Sequence, residues 1–141
     1  MNSSPAVLYV EDDENDVFFM RRAWAKMNVL NPLHVVTDGE QALHYLSGEG
    51  PYANRADYPM PCLVLLDMKL PKASGLEVLR WIRSQPAFVS LRVIVFSSSK
   101  EWRDFKGTYE LRIDNYVVKP MNFKEWSAMV GALKVHWLKG R

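Results

Sequence analysis

Five short runs of apolar residues punctuate the chain: Val7 to Val10, Leu33 to Val36, Leu63 to Leu66, Val93 to Phe96, and Tyr116 to Val118. Each has the length and the Val, Ile, Leu or aromatic content of a β-strand. Four of the five are near-continuous rather than alternating, which predicts strands covered on both faces, as in a parallel sheet. Between the runs the apolar spacing becomes helical. Val17, Met20, Trp24 and Met27 recur at helical intervals behind Asp13, a suitable cap, and Asp16, a favourable charge near a helix N-terminus. Gln41 to Leu46 predicts a short second helix, and Val78, Leu79 and Ile82 a third that stops before Pro86. Trp102, Phe105 and Tyr109 predict a fourth; Phe123, Trp126, Met129, Val130, Leu133 and Trp137 predict a long fifth. Strand and helix therefore alternate along the whole chain. Such alternation predicts an α/β fold with a central parallel sheet and right-handed crossovers. One stretch, Gly48 to Pro61, is irregular and rich in Pro and Gly. Loops of this length in compact domains are commonly functional or mobile.

Composition narrows the setting. A length of 141 residues fits one domain, expected to fill residues 1–141 with a core over about 6–138. Hydrophobic residues make up 48% and charged residues 24%, which excludes a disordered, collagen-like or disulfide-stapled chain. The 18 basic and 16 acidic residues leave a net charge of +2, so bulk charge gives no support for nucleic-acid binding. Cys62 has no cysteine partner and fits a reducing compartment. No apolar run approaches the roughly 18 residues of a membrane span. Met1 to Pro5 lacks the basic and apolar segments of a secretory signal. The expectation is a cytoplasmic domain without membrane or nucleic-acid partners.

Candidate chemistry lies at the strand ends, because ligands of open α/β sheets bind beyond the carboxyl ends of the strands. Glu11, Asp12 and Asp13 follow the first strand, Asp67 the third, Ser97 to Ser99 the fourth, and Lys119 with Pro120 the fifth. A nucleotide site would place a Gly-rich loop after the first strand, where backbone amides hold phosphate. Acids there repel phosphate unless a cation intervenes. Hard oxygen ligands suit Mg²⁺. Lys119 would add positive charge, Ser97 a hydrogen bond, and Asp67 a carboxylate nucleophile able to form an acyl phosphate. Each residue also has a plainer reading: an acidic helix start, a turn aspartate, a helix cap, a solvated lysine. Four separate loops would have to mimic one site by chance for all four plain readings to hold.

Four motifs, each at a strand end, resemble the receiver domains of two-component response regulators, the CheY-like group. They are Leu8-Tyr9-Val10-Glu11-Asp12-Asp13; Leu65-Leu66-Asp67-Met68-Lys69-Leu70-Pro71 with Ser74-Gly75; Val93-Ile94-Val95-Phe96-Ser97; and Tyr116-Val117-Val118-Lys119-Pro120. The resemblance covers about Ala6 to Leu138. It implies a doubly wound (βα)5, flavodoxin-like three-layer sandwich with sheet order 2-1-3-4-5, of which the CheY-like group is a standard example. By position, Asp67 matches the phosphorylated aspartate. Glu11, Asp12, Asp67 and the backbone carbonyl of Lys69 match the Mg²⁺ ligands. Ser97 and Lys119 match the groups that bind the phosphoryl oxygens, and Tyr116 the aromatic that turns inward with the switch. Ser98, Ser99 and the side chain of Lys69 match positions that tune phosphoryl lifetime. Glu11 stands where Asp is frequent, and Ser97 where Thr is frequent. The family also implies a cis bond between Lys119 and Pro120.

The resemblance implies a signalling switch rather than an enzyme, one that catalyses only its own phosphoryl transfer and autodephosphorylation. A histidine kinase or phosphotransfer protein would supply the phosphoryl group. No output domain is expected, so output would pass through protein contacts. The extended 48–61 loop and Val10-Glu11-Asp12 resemble single-domain regulators linked to bacterial phytochrome kinases. Those often form homodimers through the surface of the 102–109 helix, fifth strand and final helix. Two other functions compete. A docking module of the same fold would never carry phosphate, against which the complete acidic set counts. A small-molecule phosphohydrolase usually carries a second acid two residues after its nucleophile; here that residue is Lys69.

Overall fold

Successive residues of a strand point to opposite faces of its sheet, and here helices cover both. The computed structural model describes residues 4–97 and 112–138. Strands β1 (Val7–Val10), β2 (Leu33–Val36), β3 (Leu63–Asp67), β4 (Arg92–Ser97) and β5 (Asn115–Val118) form one parallel sheet in the order 2-1-3-4-5. Val7 lies between Leu33 and Leu63, and Ile94 between Leu65 and Asn115. The helices are α1 (Glu14–Lys26), α2 (Gly39–Ser47), α3 (Gly75–Ser84) and α4 (Phe123–Leu133).

One sheet face turns Val7, Tyr9, Leu65, Ile94 and Phe96 toward Met20 and Trp24 of α1 and Trp126, Val130 and Leu133 of α4. The other turns Leu8, Val10, Leu66, Val93 and Val95 toward Ala42, Tyr45 and Leu46 of α2 and Val78, Leu79 and Ile82 of α3. The two cores are the two interfaces of a three-layer α/β sandwich. Full burial of one such aliphatic side chain contributes about 1.5–3 kcal/mol. None of the described helices is long and apolar enough to cross a membrane.

Three expectations need correction. The central strands β1, β3 and β4 are buried almost throughout, but β5 is half-exposed and β2 is buried only at Val36. An apolar run alone does not say which strands lie at the sheet edges. The long final helix is α-helical only to Leu133 and continues as a wider π-type turn from Lys134 to Leu138. The bond before Pro120 is trans, the isomer that X–Pro bonds favour by about 0.5–1 kcal/mol. The helix expected over Trp102, Phe105 and Tyr109 lies outside the described residues.

Local chemistry starts and stops the helices. Asp13 accepts the N–H groups of Asn15 and Asp16 at 2.8 and 3.2 Å, and Asp38 that of Gln41 at 2.7 Å. Ser74 and Glu77 exchange both bonds of a capping box. Helix α2 ends at Gly48, whose φ of 70° few other residues adopt without strain. The loop that follows is firmly built. Its Arg55 guanidinium donates to the carbonyls of Tyr45 at 2.7 Å, Leu46 at 2.8 Å and Tyr58 at 3.0 Å. Carbonyls in the last turn of α2 thereby gain a cationic partner. Tyr45, Tyr52 and Tyr58 pack with ring centroids 5.2–6.0 Å apart.

Gly39, in the first turn of α2, touches the loop after β3. A Cβ at this position would overlap the Ala73 carbonyl. Ala is the better helix former by about 1 kcal/mol, yet the steric cost of inserting a methyl into a packed contact is about 1–3 kcal/mol. Gly39→Ala should therefore destabilise the domain in urea denaturation, by up to about 2 kcal/mol. An unchanged or increased stability would show that the contact yields freely.

Candidate functional site

The carboxyl ends of β1, β3, β4 and β5 meet at one edge of the sheet. Glu11, immediately after β1, is fully buried, and its backbone N–H bonds to the Val36 carbonyl at 3.0 Å. That bond extends the β1–β2 ladder by one residue and fixes where the side chain points. Its Oε2 accepts the Asp13 N–H at 3.2 Å, and its Oε1 lies 3.4 Å from the Tyr9 hydroxyl. Asp67, the last residue of β3, is buried, and its Oδ1 accepts the Lys69 N–H at 3.1 Å. Asp12 is exposed beside them. Carboxylate oxygens of Glu11, Asp12 and Asp67 lie within 4.8 Å of one another.

Lys119, one residue past β5, reaches into this cluster. Its backbone N–H bonds to the Ser97 carbonyl at 2.8 Å, which ties the β5 end to the β4 end. Its Nζ lies 2.9 Å from Glu11 Oε1, 3.1 Å from Asp67 Oδ2 and 2.8 Å from Asp16 Oδ2. The ammonium thus directs its three donors at three carboxylates. An open cavity of about 550 Å³ lies over the group, with Asp13, Lys69, Pro120 and Met121 also in its wall.

Electrostatics follow from that packing. Burial, and then the neighbouring Asp67, push the Glu11 carboxyl up to about 8, with Lys119 opposing. Burial acts against the Lys119 ammonium, but hydrogen bonds to Asp16 and Glu11 and the charges of Glu11 and Asp67 outweigh it, so Lys119 titrates above an ordinary lysine. Burial and the Glu11 charge raise Tyr9 far above an ordinary tyrosine. One ammonium does not balance the acids around it. Crowded, partly buried carboxylates with hard oxygen donors suit a small divalent cation. Glu11, Asp12 and Asp67 can supply the donors, and Lys69 lines the same cavity.

The remaining expected residues fall nearby or outside view. Ser97 is buried at the end of β4, and its strand neighbour on β5 is Val118. Tyr116 is half-buried on β5 and packs against the α2–α3 side of the core. Ser98 and Ser99 lie outside the described residues. Sequence reasoning missed Asp16, taking it only as a helix-terminus charge, although it is the nearest carboxylate to Lys119 Nζ. A signal was available. Helical Cβ atoms tilt toward the N-terminus, so a residue three past the cap points back over the end of α1, toward the edge of the sheet.

A doubly wound parallel sheet with an acidic pocket and a lysine at its carboxyl edge defines a class of α/β domain that offers a cation site where a nucleotide-binding domain has a Gly-rich phosphate cradle. Residues 7–131 match the model of the response regulator receiver domain, and the chain belongs to that family. It is 32% identical to response regulator Rcp1 of Synechocystis sp., over 98% of this chain and 92% of that protein. A phosphorylated cyanobacterial phytochrome response regulator, RcpA, superposes with a TM-score of 0.87 at 33% identity, covering 99% of this chain and 97% of that one. The Mn²⁺-bound form of Rcp1 superposes with a TM-score of 0.84 at 31% identity, covering 97% and 96%.

The raised Glu11 carboxyl sets a pH dependence. Below its ordinary value of 4.5 the group is protonated in both folded and unfolded chains. From there to about 8 the unfolded chain gains by ionising while the folded one does not, so stability without divalent ions falls across this window. Glu11→Gln should remove that loss. In urea denaturation with a chelator, the variant's advantage over wild type should grow from about pH 4.5 to about pH 8. A difference that stays constant across the window would contradict the assignment.

Proposed function

We propose that this domain is a phosphorylation switch in which Asp67 accepts a phosphoryl group from a phosphohistidine. The observation that carries the reading is the Lys119 ammonium between Glu11 and Asp67, within a cluster of oxygens at the carboxyl edge of a receiver-type sheet. Glu11, Asp12 and Asp67, with the Lys69 backbone carbonyl, would hold Mg²⁺. When bound, that ion supplies the positive charge that lets an anionic phosphoryl group approach.

An Asp67 carboxylate oxygen attacks phosphorus in line. The new P–O bond forms as the P–N bond to the histidine breaks, and the imidazole nitrogen leaves with the electron pair. Lys119 is already placed beside Asp67 and shifts a donor to the phosphoryl oxygens, where its charge counts most in the transition state. The Lys69 N–H holds the other Asp67 oxygen and orients the nucleophile. Ser97, at the neighbouring strand end, takes a second phosphoryl oxygen. Its movement opens space for Tyr116, and the β4–β5 surface shifts toward a second, pre-existing state.

Residues 1–141, with a core over about 6–138, act as a single receiver domain in the cytoplasm. Its phosphoryl donor is a histidine kinase or phosphotransfer protein. Similarity to phytochrome response regulators favours a kinase of the bacteriophytochrome type, and a homodimer through the side of β5 and α4. Incubation with labelled acetyl phosphate and Mg²⁺ should give an acid-stable, base-labile phosphate, absent with chelator and absent in Asp67→Asn. No label on wild type, or label that persists in Asp67→Asn, would overturn the reading.

A further inference from the structure

We propose that Asp16 is a positioning residue that gives Lys119 a partner outside the metal-binding carboxylates, so that a divalent cation and the ammonium can share the site. The proposal rests on the reading of Glu11, Asp12 and Asp67 as metal ligands. Lys119 Nζ has three carboxylate neighbours: Asp16 at 2.8 Å, Glu11 at 2.9 Å and Asp67 at 3.1 Å. Glu11 and Asp67 belong to the cluster of oxygens able to hold a cation, together with Asp12. Asp16 does not. A dication entering the cluster draws on the same two side chains, Glu11 and Asp67, that lie against Lys119. Without Asp16 the ammonium would be left beside the dication with its counter-charges already engaged.

Water is a poor replacement, because the side chains of Lys119 and Asp16 are only 15% and 21% exposed. An ion so placed depends on a fixed partner. The Asp16 backbone is held in the first turn of α1, where its N–H bonds to the Asp13 cap at 3.2 Å. Its carboxylate reaches Lys119 Nζ from α1 and lies outside the cluster of candidate ligands. Two duties are separated in this way. Glu11 and Asp67 serve the cation, and Asp16 keeps the ammonium within reach of Asp67 while they do.

Isothermal titration calorimetry with Mg²⁺ tests this on the full chain, in wild type, Asp16→Asn, Asp16→Glu, Lys119→Met and the Asp16→Asn/Lys119→Met double variant. Asp16→Asn should raise the Mg²⁺ Kd roughly tenfold, the scale on which partners of metal-site residues act. Asp16→Glu, which keeps the charge, should recover most of that loss. With Lys119 replaced there is no ammonium to place, so adding Asp16→Asn should change Kd by less than about twofold. Equal affinities for wild type and Asp16→Asn would overturn the proposal. So would a tenfold loss that persists in the Lys119→Met background, which would make Asp16 a source of bulk negative charge alone. A wild-type chain that gives no binding heat would remove the metal reading and this proposal together, whereas binding by wild type with an indifferent Asp16→Asn would remove only the proposal.

Discussion

Crowding of carboxylates at a buried sheet edge is the constraint on which this domain turns. The parallel sheet brings β1 and β3 side by side, so the residues that end them, Glu11 and Asp67, must lie close together. Both are buried, and neither can be balanced by water alone. Lys119 meets that need because the Ser97–Lys119 backbone bond extends the β4–β5 ladder and aims its side chain back across the sheet edge. The balance is incomplete: burial first, and then the neighbouring Asp67, hold the Glu11 carboxyl up at about 8 against the opposing Lys119. A site left short of positive charge is primed for a cation, and a cation makes a phosphoryl group welcome where it would otherwise be repelled. Fold, pocket and proposed chemistry are linked through that deficit.

Much of this was legible in the sequence, for a physical reason. Parallel strands covered on both faces must be apolar along their length, so Val7–Val10 and Leu63–Leu66 stand out from a helical background. The residue that follows each run then lies at the ligand-binding edge by topology, and a list of strand-end residues becomes a list of site candidates. Apolar runs could not reveal which strands were edges. Tyr116 to Val118 looks as apolar as a central strand, yet β5 is half-exposed. Asp16 was hidden because a charge in the first turn of a helix already has an ordinary explanation. Its partner, Lys119, lies 103 positions further along the chain, a distance no local pattern can bridge. The Lys119–Pro120 bond was the opposite case, where family likeness implied cis and the structure has trans.

The segment from Gly48 to Pro61 shows how an irregular stretch can still be a built one. Arg55 occupies the carbonyl end of α2 and lies over the Tyr45 ring, which packs with the rings of Tyr52 and Tyr58. His34 of β2 joins the same group, with its ring centroid 5.8 Å from Tyr45 and 6.1 Å from Tyr58. The loop thus braces α2 against an edge strand. At the other end of α2, the contact at Gly39 holds the loop after β3. That loop carries Lys69, whose N–H orients Asp67. The helix connects the aromatic brace to the surroundings of Asp67 through short, packed steps.

Proton release on Mg²⁺ binding tests the charge deficit most directly. Calorimetric titrations at neutral pH in buffers of different ionisation enthalpy report the number of protons exchanged. A Glu11 carboxyl held at about 8 is mostly protonated there, and a metal-binding carboxylate must give up its proton. About one proton per Mg²⁺ should therefore be released, and Glu11→Gln should abolish the release. Binding to wild type with no proton release would contradict the view that the buried carboxylates lack a sufficient counter-charge until the cation arrives.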